Sequence, residues 1–396
     1  MSPFRRQVRT VEIGTFLTLA AVILATLFCS VVGLRLLDQT AAHRPPPPAT
    51  PASLREAISY PGGFKYYFER AFATRDLCLE LHGRLMVDGL ATSPSPNVAL
   101  GTDGWLFLKS ESSLQQYRRL DPFSPRELSE WVDAAAAWQA AAEQGGAQFV
   151  MLVAPNKYSV YPEHVDDRFT VASRPGRKEE FVDAARAAGL TIVDPNDALV
   201  RAKADARCYH LTDTHWNQYG AAIAARELTT AFGPLLGEPV EPSSIERRTR
   251  SENGGDLSRQ IGMARLMPEE IFSVSLEPPR EVATADGSPI PEPGFDNRGG
   301  FLDHFDPRQR LVTHCADGEY DSAIVYIDSF GEVMLPVLAR HFKRCVFVKG
   351  FSLDPELIAN EKPSVVVLEV VERRLSLPAA EVLLRQAAAA VPQGAH

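Results

Sequence analysis

Two short stretches of this 396-residue chain carry residue types that could do chemistry together. In Tyr209-His210-Leu211-Thr212-Asp213-Thr214-His215-Trp216-Asn217, a carboxylate and an imidazole stand two residues apart, just before an amphipathic helical pattern. At that spacing Asp213 can accept a hydrogen bond from His215 Nδ1–H. The tautomer is then set, and Nε2 is free to take a proton from a nucleophile. The second stretch, Ala323-Ile324-Val325-Tyr326-Ile327-Asp328-Ser329-Phe330-Gly331, reads as a buried strand that meets a helix at a serine. A strand-to-helix turn is a common place to expose a nucleophilic serine. The expected roles are Ser329 as nucleophile, His215 as general base and then acid, and Asp213 as orienting carboxylate.

Other chemistries compete for the same residues. Asp213 and His215, with His210, could ligate a metal. Catalytic zinc usually takes three protein ligands, however, and no His-Glu-x-x-His helix or comparable cluster occurs. Neither a metal nor a cofactor is expected. Asp213 and His215 could also merely cap the helix that starts near residue 217, but a cap does not explain His-Trp-Asn directly after the carboxylate.

Asp-Thr-His-Trp-Asn before a Gly-Ala helix, with Asp-Ser-Phe-Gly at a later strand end, resembles the SGNH hydrolase-like acetyltransferases of bacterial exopolysaccharide assembly. The periplasmic alginate O-acetyltransferases typify that family. The resemblance takes in Gly101-Thr102-Asp103-Gly104-Trp105-Leu106-Phe107, Ala154-Pro155-Asn156-Lys157 with Tyr161-Pro162-Glu163, and Glu372-Arg373-Arg374. The order is permuted relative to ordinary SGNH esterases, with Asp and His preceding Ser. Ile327 stands where the esterase Gly-Asp-Ser motif has its glycine.

The resemblance implies ping-pong transfer: Ser329 accepts acetyl, and a hydroxyl of an exopolysaccharide acceptor then takes it. Acetyl must come from the cytoplasm, which implies a membrane-bound O-acyltransferase as donor partner. An acetylesterase with the same triad and a non-catalytic glycan-binding protein of the same fold are the rival classes. The Ser329 N–H is one expected oxyanion donor, with Asn156 or Asn217 as the second; Lys157 and Trp216 complete the candidate substrate contacts.

Several elements must position these residues. Residues 53–90 have helical spacing, with Phe64, Tyr67, Phe68, Ala71 and Phe72 as packing positions. Asp103-Gly104 between apolar runs signals a hairpin. An Ala-rich helix over 125–146 stops at Gly145-Gly146. Gln148 to Ala154 reads as a buried parallel strand, and Asn156 and Lys157 follow its carboxyl end, where ligands of open α/β sheets gather. Helix 177–188, strand 191–194, helix 196–205 and the helix after Asn217 follow. Residues 233–310 are rich in Pro and Gly with little periodicity and read as an irregular insertion, with Asn253-Gly254-Gly255-Asp256-Leu257 the piece that the resemblance favours for folding over a site. Strands at 323–327, 345–348 and 365–370, with a helix over 332–342, complete an α/β three-layer sandwich. Its sheet is mainly parallel, of the SGNH/flavodoxin-like kind.

At the N-terminus, basic residues 1–10 precede a charge-free run from Ile13 to Leu34, long enough to span a hydrocarbon core of roughly 30 Å. The expected layout is a cytoplasmic tail (1–10), an uncleaved transmembrane signal anchor (11–37), a Pro-rich linker (38–52) and an SGNH-like domain (53–396). The positive-inside bias puts that domain in the periplasm, held on the inner membrane by a single pass. Net charge is −9, and −12 without residues 1–37, which argues against a nucleic-acid partner. Outside the apolar run four cysteines remain, an even number for an oxidising compartment. The expected pairs are Cys315 with Cys345 and Cys78 with Cys208. No Cys-x-x-Cys occurs, which excludes thiol–disulfide catalysis by that motif and a zinc ribbon.

Overall fold

In the computed structural model, the described residues are 75–232, 242–251, 253–276, 278–290, 305–306 and 309–383, with Leu24, residues 49–53 and a few positions between 58 and 67. The expected tail, the anchor and most of the Pro-rich linker lie outside them, as do Phe64, Phe68, Ala71 and Phe72. Among the described residues, no helix is long and apolar enough to cross a membrane. The chain divides into two compact units, Met1–Ser95 with Ser258–Leu266, and Pro96–Leu257 with Met267–His396. In the first, helix Arg75–Arg84 continues into a π-helical turn at Leu85–Gly89, as the helical pattern of 53–90 predicts. Gly83 packs there, since a Cβ would stand 2.5 Å from the Ile261 carbonyl oxygen.

The second unit holds every candidate site residue. It opens with a hairpin of β1 (Val98–Leu100) and β2 (Leu106–Leu108). Asp103 and Gly104 both adopt positive φ, +52° and +80°, as a tight hairpin turn requires. The main strands are β3 (Gln148–Ala154) and β4 (Ile192–Val193). A separate antiparallel pair follows, β5 (Pro242–Arg250) and β6 (Glu270–Leu276), and then β7 (Ala283–Thr284), β8 (Arg310–His314), β9 (Tyr320–Ile327), β10 (Phe342–Lys349) and β11 (Val365–Val371). The seven-stranded sheet has the order β4-β3-β11-β9-β10-β8-β7. The first five strands run parallel, β8 pairs antiparallel with β10, and β7 pairs antiparallel with β8, so the sheet is mixed.

Strand alternation sorts this sheet into two apolar faces. Val150, Leu152 and Ala154 of β3 join Ala323, Val325 and Ile327 of β9 on one face, under α3 (Gln218–Ala231) and α4 (Ser329–Ala339). Phe149, Met151 and Val153 face the other way. There Trp131 and Trp138 of α1 (Pro125–Gln144), Phe181 of α2 (Arg177–Ala187) and Ile358 of α5 (Pro355–Glu361) cover them. Helix α1 starts at a capping box in which Ser124 and Glu127 satisfy each other's backbone N–H. The expected three-layer α/β architecture is what forms.

Two expectations need correction. The stretch 233–310, read as irregular, holds the β5–β6 pair, β7 and the first residue of β8 among its described residues. Pairing partners distant in sequence, which short-range periodicity does not register, specify these strands. The expected disulfides are absent: Cys78, Cys208, Cys315 and Cys345 are free thiols. Cys345 pairs in register with Thr313, whereas the Cys315 amide bonds to Lys343, so the two cysteines sit two residues out of register. The Cys208 Sγ instead donates to the carbonyls of Leu199 and Ala206.

Candidate active site

The histidine motif is a closed loop rather than a helix start alone. An isolated bridge joins Tyr209 to Trp216, and Asn217 N–H bonds to the Cys208 carbonyl at 2.9 Å. Residues 210–215 are thereby pinched between the two ends. Gly220 lets the first turn of α3 approach this base, because a Cβ there would overlap the Cys208 carbonyl oxygen. Buried Glu269 holds the loop from beneath, accepting from Leu211 N–H at 2.6 Å and Thr212 N–H at 3.2 Å.

Inside this frame, Asp213 Oδ1 lies 2.8 Å from His215 Nδ1, and His215 Nε2 lies 2.9 Å from Ser329 Oγ. Asp213 is almost fully buried, while His215 and Ser329 are partly exposed. The second carboxylate oxygen, Oδ2, accepts Asp256 N–H at 2.9 Å. The segment favoured for folding over the site therefore does so, and Gly255 makes it possible: a Cβ there would overlap Asp213 Cβ and stand 2.6 Å from Oδ2. Asp256 accepts in turn from Thr214 N–H and Thr214 Oγ1–H, both at 2.8 Å. Burial and the Asp213 charge raise its carboxyl above the usual range.

Ser329 is the first residue of α4, with Asp328 as N-cap in extended conformation, its side chain accepting Phe330 N–H at 2.8 Å. At that helix position no preceding helical carbonyl exists to take the Ser329 N–H, which leaves it available as an oxyanion donor. Ile327, the departure from the esterase motif, is the buried last residue of β9. The glycine is needed at position 331 instead, where a Cβ would stand 2.5 Å from Ile327 Cβ. A cavity of about 480 Å³ opens onto Ser329, walled by Ile327, Phe351 and Leu377 with Lys349 and Arg374.

The other four candidates make hydrogen bonds within the protein. Both ends of the Asn217 amide are engaged: Oδ1 caps α3 by accepting Gly220 N–H at 3.0 Å, and Nδ2 donates to the Arg207 carbonyl at 2.5 Å. Trp216 is fully buried, and its Nε1–H donates to the Phe330 carbonyl at 3.0 Å, tying the histidine loop to the serine turn. Asn156 is buried, with its side chain donating to Gln116 and its N–H to Glu372 at 2.7 Å. Lys157 Nζ donates to the carbonyls of Leu106 and Leu211 at 2.7 and 3.1 Å, clamping β2 to the motif loop. Burial lowers the ammonium to about 8. The bonds that Asn156, Lys157, Trp216 and Asn217 make are to other groups of the protein.

Sequence reading named the segment that carries Asp256 but gave that residue no role, and it missed Glu269, Glu369 and the pairing of Arg373 with Glu111 (2.8 Å), which flanks the site. Burial would raise the Glu111 carboxyl, but the Arg373 charge and hydrogen bond outweigh it and hold it low. Glu369 carried a readable signal, an acid inside an otherwise apolar strand. The arrangement also has metal-site character: ligand atoms of Asp213, His215 and Asp256 lie within 4.8 Å of one another. Each of those carboxylate oxygens already accepts a protein N–H or O–H.

The family model for the SGNH hydrolase-like domain, acetyltransferase AlgX, matches residues 98–288. The protein named "Probable alginate O-acetylase AlgJ" of Pseudomonas syringae pv. tomato is 29% identical over 201 residues, covering 49% of this chain and 48% of that one. Its namesake in Pseudomonas aeruginosa is 26% identical over 256 residues, 63% and 62% of the two chains. The aligned part is thus between about half and three-fifths of these relatives' length. The solved O-acetyltransferase domain of Pseudomonas putida AlgJ superposes with a TM-score of 0.46 at 21% identity, covering 71% of this chain and 93% of that one. The family match includes Asp213 and His215 and ends before Ser329. Residues 98–288, just under half of this chain, are thus similar to the SGNH hydrolase-like acetyltransferase domain.

Proposed function

We propose that this chain is an O-acetyltransferase that moves acetyl groups onto hydroxyls of an exopolysaccharide through an acetyl ester on Ser329. The observation that carries the reading is the unbroken line of hydrogen bonds from Ser329 Oγ through His215 to Asp213. In the first half, Ser329 Oγ attacks the acetyl carbonyl as His215 Nε2 takes its proton. The bond to the donor then breaks, and His215 returns the proton to the leaving group. In the second half, His215 takes the proton of a sugar hydroxyl as that oxygen attacks the acetyl-serine. Collapse gives the acetylated sugar and restores Ser329 Oγ–H. The Ser329 N–H, helped by the positive end of α4, stabilises the oxyanion in both halves.

The names of the relatives support a polysaccharide of the alginate type as acceptor. The charge-free run at residues 13–34 supports an inner-membrane anchor with the catalytic domain in the periplasm, near a membrane-bound O-acyltransferase that supplies acetyl. The test uses p-nitrophenyl acetate with and without an oligosaccharide acceptor. Ser329 should gain one acetyl group by mass, and the acceptor should raise turnover and become acetylated. Ser329→Ala and His215→Ala should each abolish turnover, with effects that do not add. Wild-type turnover by Ser329→Ala would overturn the reading. Release of acetate alone would favour an acetylesterase, and loss of activity on chelation would favour a metal at Asp213, His215 and Asp256.

A further inference from the structure

Strand β11 reads Val-Val-Val-Leu-Glu-Val-Val, and its single charged residue, Glu369, is completely buried. Alternation puts Glu369 on the same sheet face as Val367 and Val371, the face that α3 and α4 cover. Its Oε2 accepts two backbone N–H groups, from Asp328 at 3.0 Å and Gly331 at 3.1 Å. These two amides bracket Ser329. Asp328 uses both of its own oxygens as acceptors, one for Phe330 N–H and the other for Val371 N–H at 3.1 Å. A Cβ on residue 331 would stand 2.8 Å from Glu369 Oε2, so the glycine is what allows this close approach.

A buried negative charge at Glu369 would be penalised by desolvation and again by the Asp328 carboxylate. Both effects push its carboxyl well above the usual range. An acid placed where its charge is disfavoured, yet engaged by two amides beside the nucleophile, serves as a shaped acceptor. We propose that Glu369 is a positioning residue, whose Oε2 gathers the Asp328 and Gly331 amides and so aims the Ser329 hydroxyl at His215. The role in turnover rests on the triad reading above; the role in shaping the turn does not.

The experiment compares E369Q and E369A in the full chain, by acetylation kinetics with p-nitrophenyl acetate and by hydrogen exchange of the Asp328 and Gly331 amides. Glutamine keeps both the shape and the acceptor oxygen, so E369Q should stay within about threefold of wild-type kcat, with unchanged exchange. Alanine leaves two buried amides without an acceptor. E369A should lose about 100-fold in kcat with KM nearly unchanged, and both amides should exchange faster. Support that was merely structural would lower the folded fraction without separating kcat from KM. E369Q as impaired as E369A, or E369A with wild-type kcat and exchange, would overturn the proposal. If E369A does not fold, E369D takes its place, one methylene too short to reach both amides, with the same expectations. A wild-type chain that is never acetylated would sink the triad, and the exchange comparison would then decide Glu369 by itself.

Discussion

His215 Nε2 and Ser329 Oγ are 2.9 Å apart although 114 residues separate them in the chain. The sheet closes that gap. Ser329 follows β9, His215 sits in a loop pinched off before α3, and α3 and α4 pack against each other on one sheet face. The Trp216 Nε1–H bond to the Phe330 carbonyl then locks the two loops at the residues next to the reacting pair.

Asp213 is expected to act through the His215 tautomer. In Asp213→Asn, the amide can present N–H to Nδ1, turning the ring's acceptor away from Ser329. Turnover of p-nitrophenyl acetate should fall about 10³–10⁴-fold with little change in melting temperature. An Asn variant within tenfold of wild type would mean that the carboxylate only caps.

Gly255→Ala tests whether the 253–256 segment sets the carboxylate. The added methyl would displace Asp213 or the loop carrying Asp256, and a shift of about 1 Å can cost about 100-fold in rate. Unchanged kcat in a folded Gly255→Ala protein would show that the loop yields without moving Asp213.

Asp256, Glu369 and Glu372 all have carboxyls raised chiefly by burial. In the window between the ordinary carboxylate pKa of about 4 and their folded values, the native state binds more protons than the unfolded chain. Stability from these groups is therefore fully present below that window and is lost as pH rises through it. Urea midpoints should fall with rising pH over that range, and the fall should be smaller in E369Q. An identical slope in wild type and E369Q would show that Glu369 does not titrate there.

The four cysteines of the described regions should behave as free thiols. Under native conditions an alkylating reagent should modify Cys78, which is exposed, and leave buried Cys208, Cys315 and Cys345 until the chain unfolds. Burial raises the Cys208 thiol to about 12 and lifts the Cys345 thiol well above its ordinary range, which slows their reaction again. Detection of a Cys315–Cys345 bridge by mass mapping would contradict the arrangement.

The anchor is tested by topology. Alkaline phosphatase fused after Pro51 should be active, and the mature protein should retain residues 1–37. A mature N-terminus near residue 40 would point to a cleaved signal peptide instead.

Much of this was legible in the sequence because it is local. Local patterns identified β3, β9 and β11 and the helices α1 to α4 that cover them, though not α5, and Asp-Gly identified the β1–β2 turn, since these patterns follow from side-chain direction and φ preference within a few residues. Asp213, His215 and Ser329 could be named for the same reason: a two-residue spacing and a strand-end serine are short-range features. What tertiary structure alone decided is where polar atoms spend their hydrogen bonds. Asn156, Lys157, Trp216 and Asn217 look like site residues by type and position, yet folding commits each to a carbonyl, an amide or a carboxylate brought from elsewhere in the chain. Asp256 and Glu269 enter the site through pairings of 42 to 58 residues' separation, which no local pattern encodes. The cysteines show the same limit: an even count permits disulfides, but only strand register determines whether two sulfurs can meet.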